Sequence, residues 1–436
     1  MTASTSMARK AGIASFIGTT IEWYDFFIFG TASALVFDKL FFPDISPAAG
    51  TLASFATFWV GFLARPLGGI VFGHLGDKIG RKKTLVITLL MMGIATAAIG
   101  CLPTYASIGI AAPAVLVACR LIQGFAVGGE WGGAVLIASE HAPKGRGIVY
   151  GAFAQQGSPA GQILSSLAFL GIGLLSDTAF DSWGWRLPFL ASAALVVVGL
   201  IIRLRVTESP EMRAIQEKKQ VAKLPIGEVL RTAPGLIALG VGASAIGATA
   251  LHFKSTFALE WATSELGFAK SAFLTVTTIS GIVQFIVQPF GALIGARWNP
   301  RTALKVFLTA ELILFPIMFL MIGTGSLPLA IIGMSVATMP HALYYAMLAG
   351  VLAEAFPTRI RYTSISLSYQ LCATIFAGTA PFVGQSLMEL AGGQVWPVVA
   401  YSALLVSLSL YCTLALMRRG AAGRAAAGAE TVPVSA

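Results

Sequence analysis

Long apolar runs follow one another along this chain and decide what it can fold into. We count twelve, each near the roughly 20 residues that an α-helix needs to cross the hydrocarbon core of a bilayer. Only 11% of the 436 residues are charged, whereas soluble domains carry roughly a quarter. Because so few charges cannot cover a water-facing surface, the sequence predicts an all-α membrane protein. The predicted spans are 12–37, 50–73, 84–103, 110–139, 147–175, 186–204, 232–256, 269–296, 302–323, 327–353, 362–388 and 395–417.

The longest polar gap divides these spans into two sets of six. It covers residues 205–231, and we predict that it forms a cytoplasmic linker with a short amphipathic helix on the membrane surface. The two halves are thus predicted at 1–204 and 232–417, and the Ala- and Gly-rich tail at 418–436 is predicted to be disordered. The four cysteines stand singly in apolar stretches, so we expect no disulfide, no metal site and no cofactor.

The basic residues indicate how the chain is oriented. If the N-terminus is cytoplasmic, the cytoplasmic segments hold 23 of the 29 Lys and Arg residues, and the outside loops hold Lys39, Arg186 and Lys270. This is the distribution that the positive-inside rule describes. The sequence therefore predicts that both termini are cytoplasmic. The net charge of +10 is dispersed over loops between spans, which argues against nucleic-acid binding.

Matching motifs in the two halves indicate an internal repeat. The second span is followed by a Gly-rich basic loop at 73–83, and the corresponding place after the eighth span is 291–301. Such repeats are typical of transporters that bind substrate between two halves near the bilayer midplane. We predict that these loops open and close the cytoplasmic side, although basic loops can also serve only to set topology. The residues assigned to gating are Arg65, Gly73, Asp77, Gly80, Arg81, Glu140, Arg146, Glu354 and Arg361.

These loops and several helix motifs resemble the major facilitator superfamily. The 73–83 loop is similar to its signature loop, and Arg120-Leu-Ile-Gln123-Gly124 is similar to its Arg-x-x-Gln-Gly element. Four runs carry a more specific resemblance, to the metabolite–proton symporters: 22–26, 62–69, 128–133 and 183–189. Their sequences are most similar to the shikimate-transporter branch of that family. The resemblance implies the major facilitator fold, alternating access, and proton-coupled uptake of a small metabolite at the inner membrane of a bacterium. One departure is Gly295-Ala296, where the family usually has an aspartate, so inner closure is expected to depend mainly on the first-half loop.

Two carboxylic acids on the first span need an explanation, because an ionisable group in a span costs about 2.5–3.5 kcal/mol on insertion scales. Glu22 and Asp25 are three residues apart and therefore share one face of a helix. A low-dielectric site favours the protonated form of such acids, so the pair can hold and release a proton. The alternatives are an ion pair that locks helices together and direct contact with the substrate. Trp23 and Tyr24 beside them supply aromatic surface for a substrate.

The fourth span carries a second group of polar residues. Arg120 stays charged in nearly any site, so a carboxylate or an anionic ligand must compensate it, and Gln123 lies one turn further on. Glu130 lies about 15 Å deeper by helical rise and is a further candidate for proton coupling. An ion pair between Glu130 and Arg65 is the alternative. Glycines recur every four residues over 124–132, which favours close packing against another helix.

The seventh span gives the sharpest indication of the substrate. Lys254 falls well inside this span, and His252 lies two residues before it. A buried ammonium is most simply stabilised by an anion, although a long lysine can also extend to the membrane surface. Further polar groups in apolar runs suit a hydroxylated or aromatic acid or, alternatively, hydrogen bonds between helices: Gln155, Gln156, His341, Tyr344, Tyr345 and Gln370.

Other classes of protein fit the sequence less well. We find no His-Glu-x-x-His, Gly-x-Ser-x-Gly or Gly-x-x-x-x-Gly-Lys motif, so an enzyme is not predicted. A passive channel would leave the repeat unexplained, and a drug-exporting antiporter of the same fold is the nearest rival. We predict a monomeric, proton-coupled symporter for a small organic acid. A shikimate-like or aromatic monocarboxylate comes first, a di- or tricarboxylate second and a betaine-type zwitterion third.

Overall fold

The computed structural model describes residues 3–79, 81–130, 153–204, 231, 233–356 and 361–430, and these residues form twelve long helical elements. We number them α1 to α12. The first half contains α1 (Ala3–Leu35), α2 (Pro47–Leu63 and Arg65–Ile79), α3 (Arg81–Cys101), α4 (Ala111–Gly128), α5 (Gly157–Ile172) and α6 (Arg186–Leu204). The second half contains α7 (Pro234–Ser264), α8 (Lys270–Arg297), α9 (Pro300–Gly323), α10 (Leu327–Ala355), α11 (Arg361–Leu390) and α12 (Trp396–Glu430). Short helices at Phe37–Phe41, Tyr105–Ile108, Asp177–Ala179 and Phe180–Gly184 connect them.

Ten of the described helices are long and apolar enough to cross a membrane. The two remaining long elements, α1 and α5, occupy the places of the first and fifth predicted spans. The predicted all-α membrane architecture is therefore confirmed, and the structure is consistent with twelve spans.

Several predicted boundaries differ from the structure, and two of the differences concern where a helix of the second half ends. The seventh span was predicted to end at 256, but α7 continues to Ser264, because Glu260, which interrupts the apolar run, is buried inside the protein. The last helix continues to Glu430, so residues 418–430 are helical rather than disordered. Alanine, which is abundant there, is the best helix former, and composition alone did not distinguish a helix from a disordered tail. The predicted linker helix at 205–231 lies outside the described residues except for Arg231.

Two helices of the second half change their winding near the middle. A π-helical turn at Phe253–Phe257 interrupts α7, and another at Ala373–Ala377 interrupts α11. A π-helical turn re-aims the side chains that follow it and is often found at functional sites. The turn in α7 begins directly after His252.

The helices pack mainly within their own half, and further contacts among the described residues join the halves. Within the first half α1 lies against α5, α3 against α6 and α2 against α4, whereas in the second half α8 lies against α10 and α7 against α12. Between the halves, α1 contacts α7, α2 contacts α11 and α5 contacts α8. The centre of the molecule is therefore bounded by α1 and α2 on one side and by α7 and α11 on the other.

The crossing of α2 and α4 is unusually close because both helices present glycine. A Cβ on Gly124 would lie 1.7 Å from the Gly61 carbonyl oxygen, and a Cβ on Gly68 would lie 1.8 Å from that of Phe125. The two backbones thus touch directly, as small residues allow in membrane proteins. This approach places Arg65 of α2 and Arg120 of α4 in the same region of the first half.

Candidate substrate and proton site

A histidine at the contact between the two halves is surrounded by aromatic rings of the first half. The His252 ring centroid lies 5.1 Å from that of Phe58, 5.4 Å from Phe62, 6.1 Å from Phe27 and 6.3 Å from Trp23. We call these five residues the aromatic cage. Since α7 carries the histidine and α1 and α2 carry the other rings, the cage can form only while the halves are in contact.

His252 is buried, and neither of its ring nitrogens has a hydrogen-bond partner among the described residues. Leaving a buried polar atom unpaired costs about 1–3 kcal/mol, so most such atoms in native proteins have partners. A neutral imidazole offers one donor and one acceptor. The cage is therefore a place where a ligand with hydroxyl or carboxylate groups would satisfy an otherwise unpaired side chain.

Two buried guanidinium groups adjoin the cage. The Cζ of Arg65 lies 4.1 Å from the Phe26 ring centroid and 4.2 Å from that of Phe62. The Cζ of Arg120 lies 4.0 Å from the Phe29 centroid and 4.7 Å from that of Phe26. In the part of the chain that the structure describes, no carboxylate oxygen lies within 4.0 Å of either guanidinium. A substrate anion here would meet two guanidiniums that have no direct ion pair among the described residues.

A chain of hydrogen bonds joins Arg120 to Asp25. Nη1 of Arg120 donates to Oε1 of Gln123 (2.9 Å), Nε2 of Gln123 donates to Oγ1 of Thr96 (2.6 Å), and that hydroxyl donates to Oδ2 of Asp25 (2.7 Å). The Ser192 hydroxyl donates to Oδ1 of Asp25 (2.6 Å). Every donor in this Asp25–Arg120 chain points towards the carboxylate. The arrangement therefore stabilises an ionised Asp25. A change in the protonation state of Asp25 would also change the electrostatic environment of Arg120.

The other two predicted carboxylates have different surroundings. Glu22 is buried, interacts electrostatically with Arg65, and has an Oε2 atom without a hydrogen-bond partner among the described residues. Glu130 forms a buried ion pair with Arg203 of α6, not with Arg65 as the alternative interpretation held. The sequence did not single out Arg203, because it stands at the end of an apolar run and was counted with the cytoplasmic cations.

Lys254 is fully buried rather than extended to the membrane surface. Its Nζ donates to Oγ1 of Thr338 on α10 at 3.0 Å. The lysine lies on α7 just beyond the cage, but in this structure it faces the interior of the second half. Its predicted contact with the substrate stays a prediction.

The remaining predicted substrate residues join helices and are not brought to the cage. Tyr345 shares a hydrogen bond with the Tyr369 hydroxyl at 2.8 Å. Four other side chains donate to backbone carbonyl oxygens: the Tyr24 hydroxyl to Pro188 O (2.8 Å), Gln156 to Phe285 O, Gln370 to Gly128 O (3.4 Å) and Tyr344 to Ala243 O. The backbone carbonyl oxygen of Gln155 accepts from the Gln288 side chain (3.0 Å). These hydrogen bonds join helices in this structure, and the predicted contacts of these residues with the substrate stay predictions.

The predicted gating residues fall mostly where little is described. Glu354 lies exposed near the end of α10. Gly80, Glu140 and Arg146 lie outside the described part of the chain, and for Gly73, Asp77, Arg81 and Arg361 the structure describes the helix backbone alone. Among the gating residues whose side chains the structure describes, Arg65 belongs to the candidate site.

A cavity of about 650 Å³ opens between the halves on the side of the membrane where α1 ends. Its lining includes Asp38, Lys39, Asp177 and Lys270, which contribute charges of both signs. Burial raises the pKa of the Asp38 carboxyl above its usual range. Nζ of Lys270 lies 4.0 Å from Oδ1 of Asp177, which connects the second half to the first. The cavity lining therefore shows no preference for one sign of charge.

Sequence reasoning missed several side chains that complete the site. Thr96 and Ser192 are hydroxyl residues inside apolar runs, where such residues are common, and no sequence signal distinguishes them. Glu311 on α9 could have been found, because it is a carboxylate in a predicted span just as Glu22 is.

Comparisons with known proteins agree with this architecture. The family model described as "Sugar (and other) transporter" matches residues 10–235. The shikimate transporter of Escherichia coli is 38% identical over 424 residues, 96% of each chain. The inner membrane metabolite transport protein YhjE of the same organism is 37% identical over 413 residues, 93% of each chain. The proline/betaine transporter of Escherichia coli is 30% identical over 410 residues, 92% of this chain and 81% of its own length.

A solved structure shows the same fold. The crystal structure of a D-xylose–proton symporter superposes with a TM-score of 0.74 and covers 94% of this chain and 97% of that chain, at 16% sequence identity. The relatives are matched over nearly the whole sequence and the family model over half of it. The chain therefore belongs to the sugar (and other) transporter family of the major facilitator superfamily, and it is a membrane transporter.

Proposed function

We propose that this transporter takes up a small organic acid together with protons, and that the acid is a shikimate-like or aromatic monocarboxylate. The observation that carries the proposal is the pair of buried guanidiniums, Arg65 and Arg120, which adjoin an aromatic cage and, among the described residues, have no carboxylate oxygen within 4.0 Å. A ring-shaped acid can place its ring against the cage and its carboxylate towards the guanidiniums. The hydroxyls of such an acid can bond to the unpaired nitrogens of His252. The relationship to a shikimate transporter supports the same class of substrate.

The Asp25–Arg120 chain gives a physical reason for coupling to protons. A substrate carboxylate that binds Arg120 neutralises part of the positive field that stabilises the Asp25 anion. Protonation of Asp25 then restores the balance of charge in a buried site where uncompensated charge is costly. By thermodynamic reciprocity, a proton on Asp25 must also strengthen substrate binding. Anion and proton therefore bind together, as a symporter requires.

The same site is proposed to be exposed to each side of the membrane in turn. The cage consists of residues from both halves, so separating the halves at one side would admit water to His252. We propose that both termini are cytoplasmic, that uptake runs from the side where α1 ends, and that the loop containing Asp77 closes the cytoplasmic side. The proposed location is the inner membrane of a bacterium.

A zwitterion is the second candidate substrate. Quaternary ammonium groups bind well to the faces of aromatic rings, and the cage provides several. Glu22 is buried with an unpaired Oε2 atom and could face such a cation, while Arg65 would hold the carboxylate. The relationship to a proline/betaine transporter favours this reading over an inorganic or a sugar substrate.

Uptake into proteoliposomes tests the proposal. The purified protein is reconstituted, and accumulation of labelled shikimate, benzoate, succinate, citrate and glycine betaine is measured with and without an inward proton gradient. We expect a monocarboxylate to accumulate above its external concentration only when the gradient is present. Accumulation of betaine alone would select the zwitterion, and accumulation that ignores the proton gradient would refute proton coupling.

A further inference from the structure

A second cluster of buried ionisable side chains lies inside the second half, away from Asp25. Nδ1 of His341 on α10 lies 2.9 Å from Oε1 of Glu311 on α9. Lys254 of α7 donates to Thr338 at 3.0 Å and interacts electrostatically with Glu311, and the Thr338 hydroxyl lies 2.8 Å from that of Ser280 on α8. The side chains of Lys254, Glu311 and His341 are fully buried. An ionisable residue inside a membrane protein is a functional candidate until it is shown otherwise.

The charges of this cluster balance in one protonation state. With Lys254 charged, Glu311 ionised and His341 neutral, the sum is zero, and the Nδ1 hydrogen of the histidine can bond to the carboxylate. Two atoms then stay unpaired among the described residues, Oε2 of Glu311 and Nε2 of His341. Each of these atoms can accept a proton, so the Glu311–His341 pair has room for one more proton than the balanced state holds. Such a pair titrates as a unit.

Other titratable groups around the pair do not compete for this proton near neutral pH. They come from three helices packed around it, and all are phenols or thiols, whose usual pKa values lie well above 7. They are Tyr344 and Tyr345 on α10, Tyr369 and Cys372 on α11, and Tyr401 on α12. The neighbour on α8 is the Ser280 hydroxyl. Lys254 is thus the charged group that faces the pair within the described residues.

The pair is connected to the aromatic cage by two routes. Lys254 lies two residues after His252, within the π-helical turn of α7. His341 stacks on Tyr345 with ring centroids 5.8 Å apart, and the Tyr345 hydroxyl shares a hydrogen bond with that of Tyr369 on α11, a helix that contacts α2, which carries Arg65 and part of the cage. A ligand in the cage and a charge on the pair would therefore influence each other.

We propose that Glu311 and His341 form a second proton site of this transporter, in the half opposite to Asp25, and that Lys254 sets how readily this site fills. A hydronium ion reaching the pair transfers its proton to the carboxylate or to Nε2 and leaves as water. This proposal rests on the proposed proton-coupled function. It implies that in each transport cycle a proton can be carried in the first half, on Asp25, or in the second half, on the Glu311–His341 pair.

Infrared difference spectra between alkaline and acidic pH test the site without any substrate. Purified wild type in detergent is compared with Glu311→Gln and with the matched control Glu389→Gln, whose carboxylate is exposed at the end of α11. We expect wild type and the control to share protonation bands of a buried carboxyl or imidazole that Glu311→Gln loses. Lys254→Met should make these bands appear at higher pH, because a nearby positive charge that opposes protonation is gone. A merely structural role for Glu311 would produce neither change.

Two further variants keep the test decisive. If Glu311→Gln alone misfolds because Lys254 is left uncompensated, the double variant Lys254→Met/Glu311→Gln removes both charges together and should still lack the bands. Asp25→Asn should remove a different carboxyl band and leave those of the pair in place. Identical spectra for wild type, Glu311→Gln and the double variant would overturn the second site. If Asp25→Asn alone removes a carboxyl band, the second site is overturned and the proposed symport through Asp25 stands.

Discussion

At the scale of single residues, the Asp25–Arg120 chain can be interrupted without removing a charge. Thr96→Val keeps the shape of the side chain but removes the hydroxyl that links Gln123 to Asp25. A hydrogen bond to a charged group contributes about 1.5–3 kcal/mol, so we expect accumulation driven by a proton gradient to fall about tenfold or more. Exchange of preloaded substrate, which needs no net proton movement, should be affected less. Both activities are measured in proteoliposomes.

Thr88 provides the matched control for this prediction. It is a buried threonine of the same helix, and its hydroxyl donates only to the Leu85 carbonyl oxygen one turn away. Thr88→Val should therefore keep both accumulation and exchange near wild type. Equal losses in Thr88→Val and Thr96→Val would show that α3 tolerates no valine, and the chain would have no special role.

The guanidinium of Arg120 gives a second prediction at this scale. It stacks on Phe29 while Nη1 bonds to Gln123 and Nη2 donates to the Phe58 carbonyl oxygen at 3.1 Å. A lysine has a single nitrogen and cannot keep these contacts while also holding a substrate carboxylate. In equilibrium binding of the best organic acid, Arg120→Lys should weaken affinity by about 10- to 100-fold. Arg301→Lys, an exposed arginine of α9, serves as the control, and unchanged affinity in Arg120→Lys would contradict the anion site.

At the scale of helices, the close crossing of α2 and α4 fixes the distance between the two arginines. Gly124→Ala would place a Cβ 1.7 Å from a backbone oxygen that cannot move away, so the helices must separate. Overpacking of this kind costs about 1–3 kcal/mol or more. We expect a lower melting temperature in detergent and weaker substrate binding. The control is Gly350→Ala inside α10, where an added Cβ meets no atom within 4 Å and stability should be unchanged or slightly higher.

The same crossing shows what could be predicted from the sequence. Glycines spaced by four predicted close packing of the fourth span, and apolar runs predicted the helices, because both signals are local. The partners of buried polar groups were not local. The sequence offers Arg65 as an alternative partner for Glu130, but its partner is Arg203, which is 73 residues away in sequence. The sequence shows His252 beside Lys254, but the other rings of its cage come from α1 and α2. No periodicity in the sequence indicates which helices of the two halves face each other.

At the scale of the whole molecule, the described contacts between the halves lie on both sides of the cage. Trp23 of the cage packs at the level of Gly161 on α5. Gln156 bonds to Phe285 O on the side where α5 begins, and Asp177 pairs with Lys270 beyond the other end of α5. The second pair is largely exposed and contributes only about 0–1 kcal/mol, so little energy opposes its separation.

Alternating access requires these two contacts to open in turn. We predict that joining Gln156→Cys to Phe285→Cys with a short thiol cross-linker stops transport, and that joining Asp177→Cys to Lys270→Cys does the same. The experiment uses a Cys101→Ser background, because Cys101 is the exposed one of the four native cysteines. Transport in proteoliposomes is measured before cross-linking, after it, and after cleavage of the linker, which should restore activity.

Each cross-link should also leave the site open to one side only. With Gln156 and Phe285 joined, a water-soluble ligand should still reach the cage from the side where α1 ends, whereas joining Asp177 to Lys270 should restrict access to the opposite side. A link within one half provides the control. Nη2 of Arg301 on α9 lies 3.5 Å from the Met417 carbonyl oxygen on α12, so cysteines at these positions can be joined without connecting the halves. Because each half moves as a unit during rocking, this link should leave transport intact. Full transport by a completely cross-linked Gln156–Phe285 pair would show that the halves do not separate along α5 and α8, and the site would then have to open elsewhere.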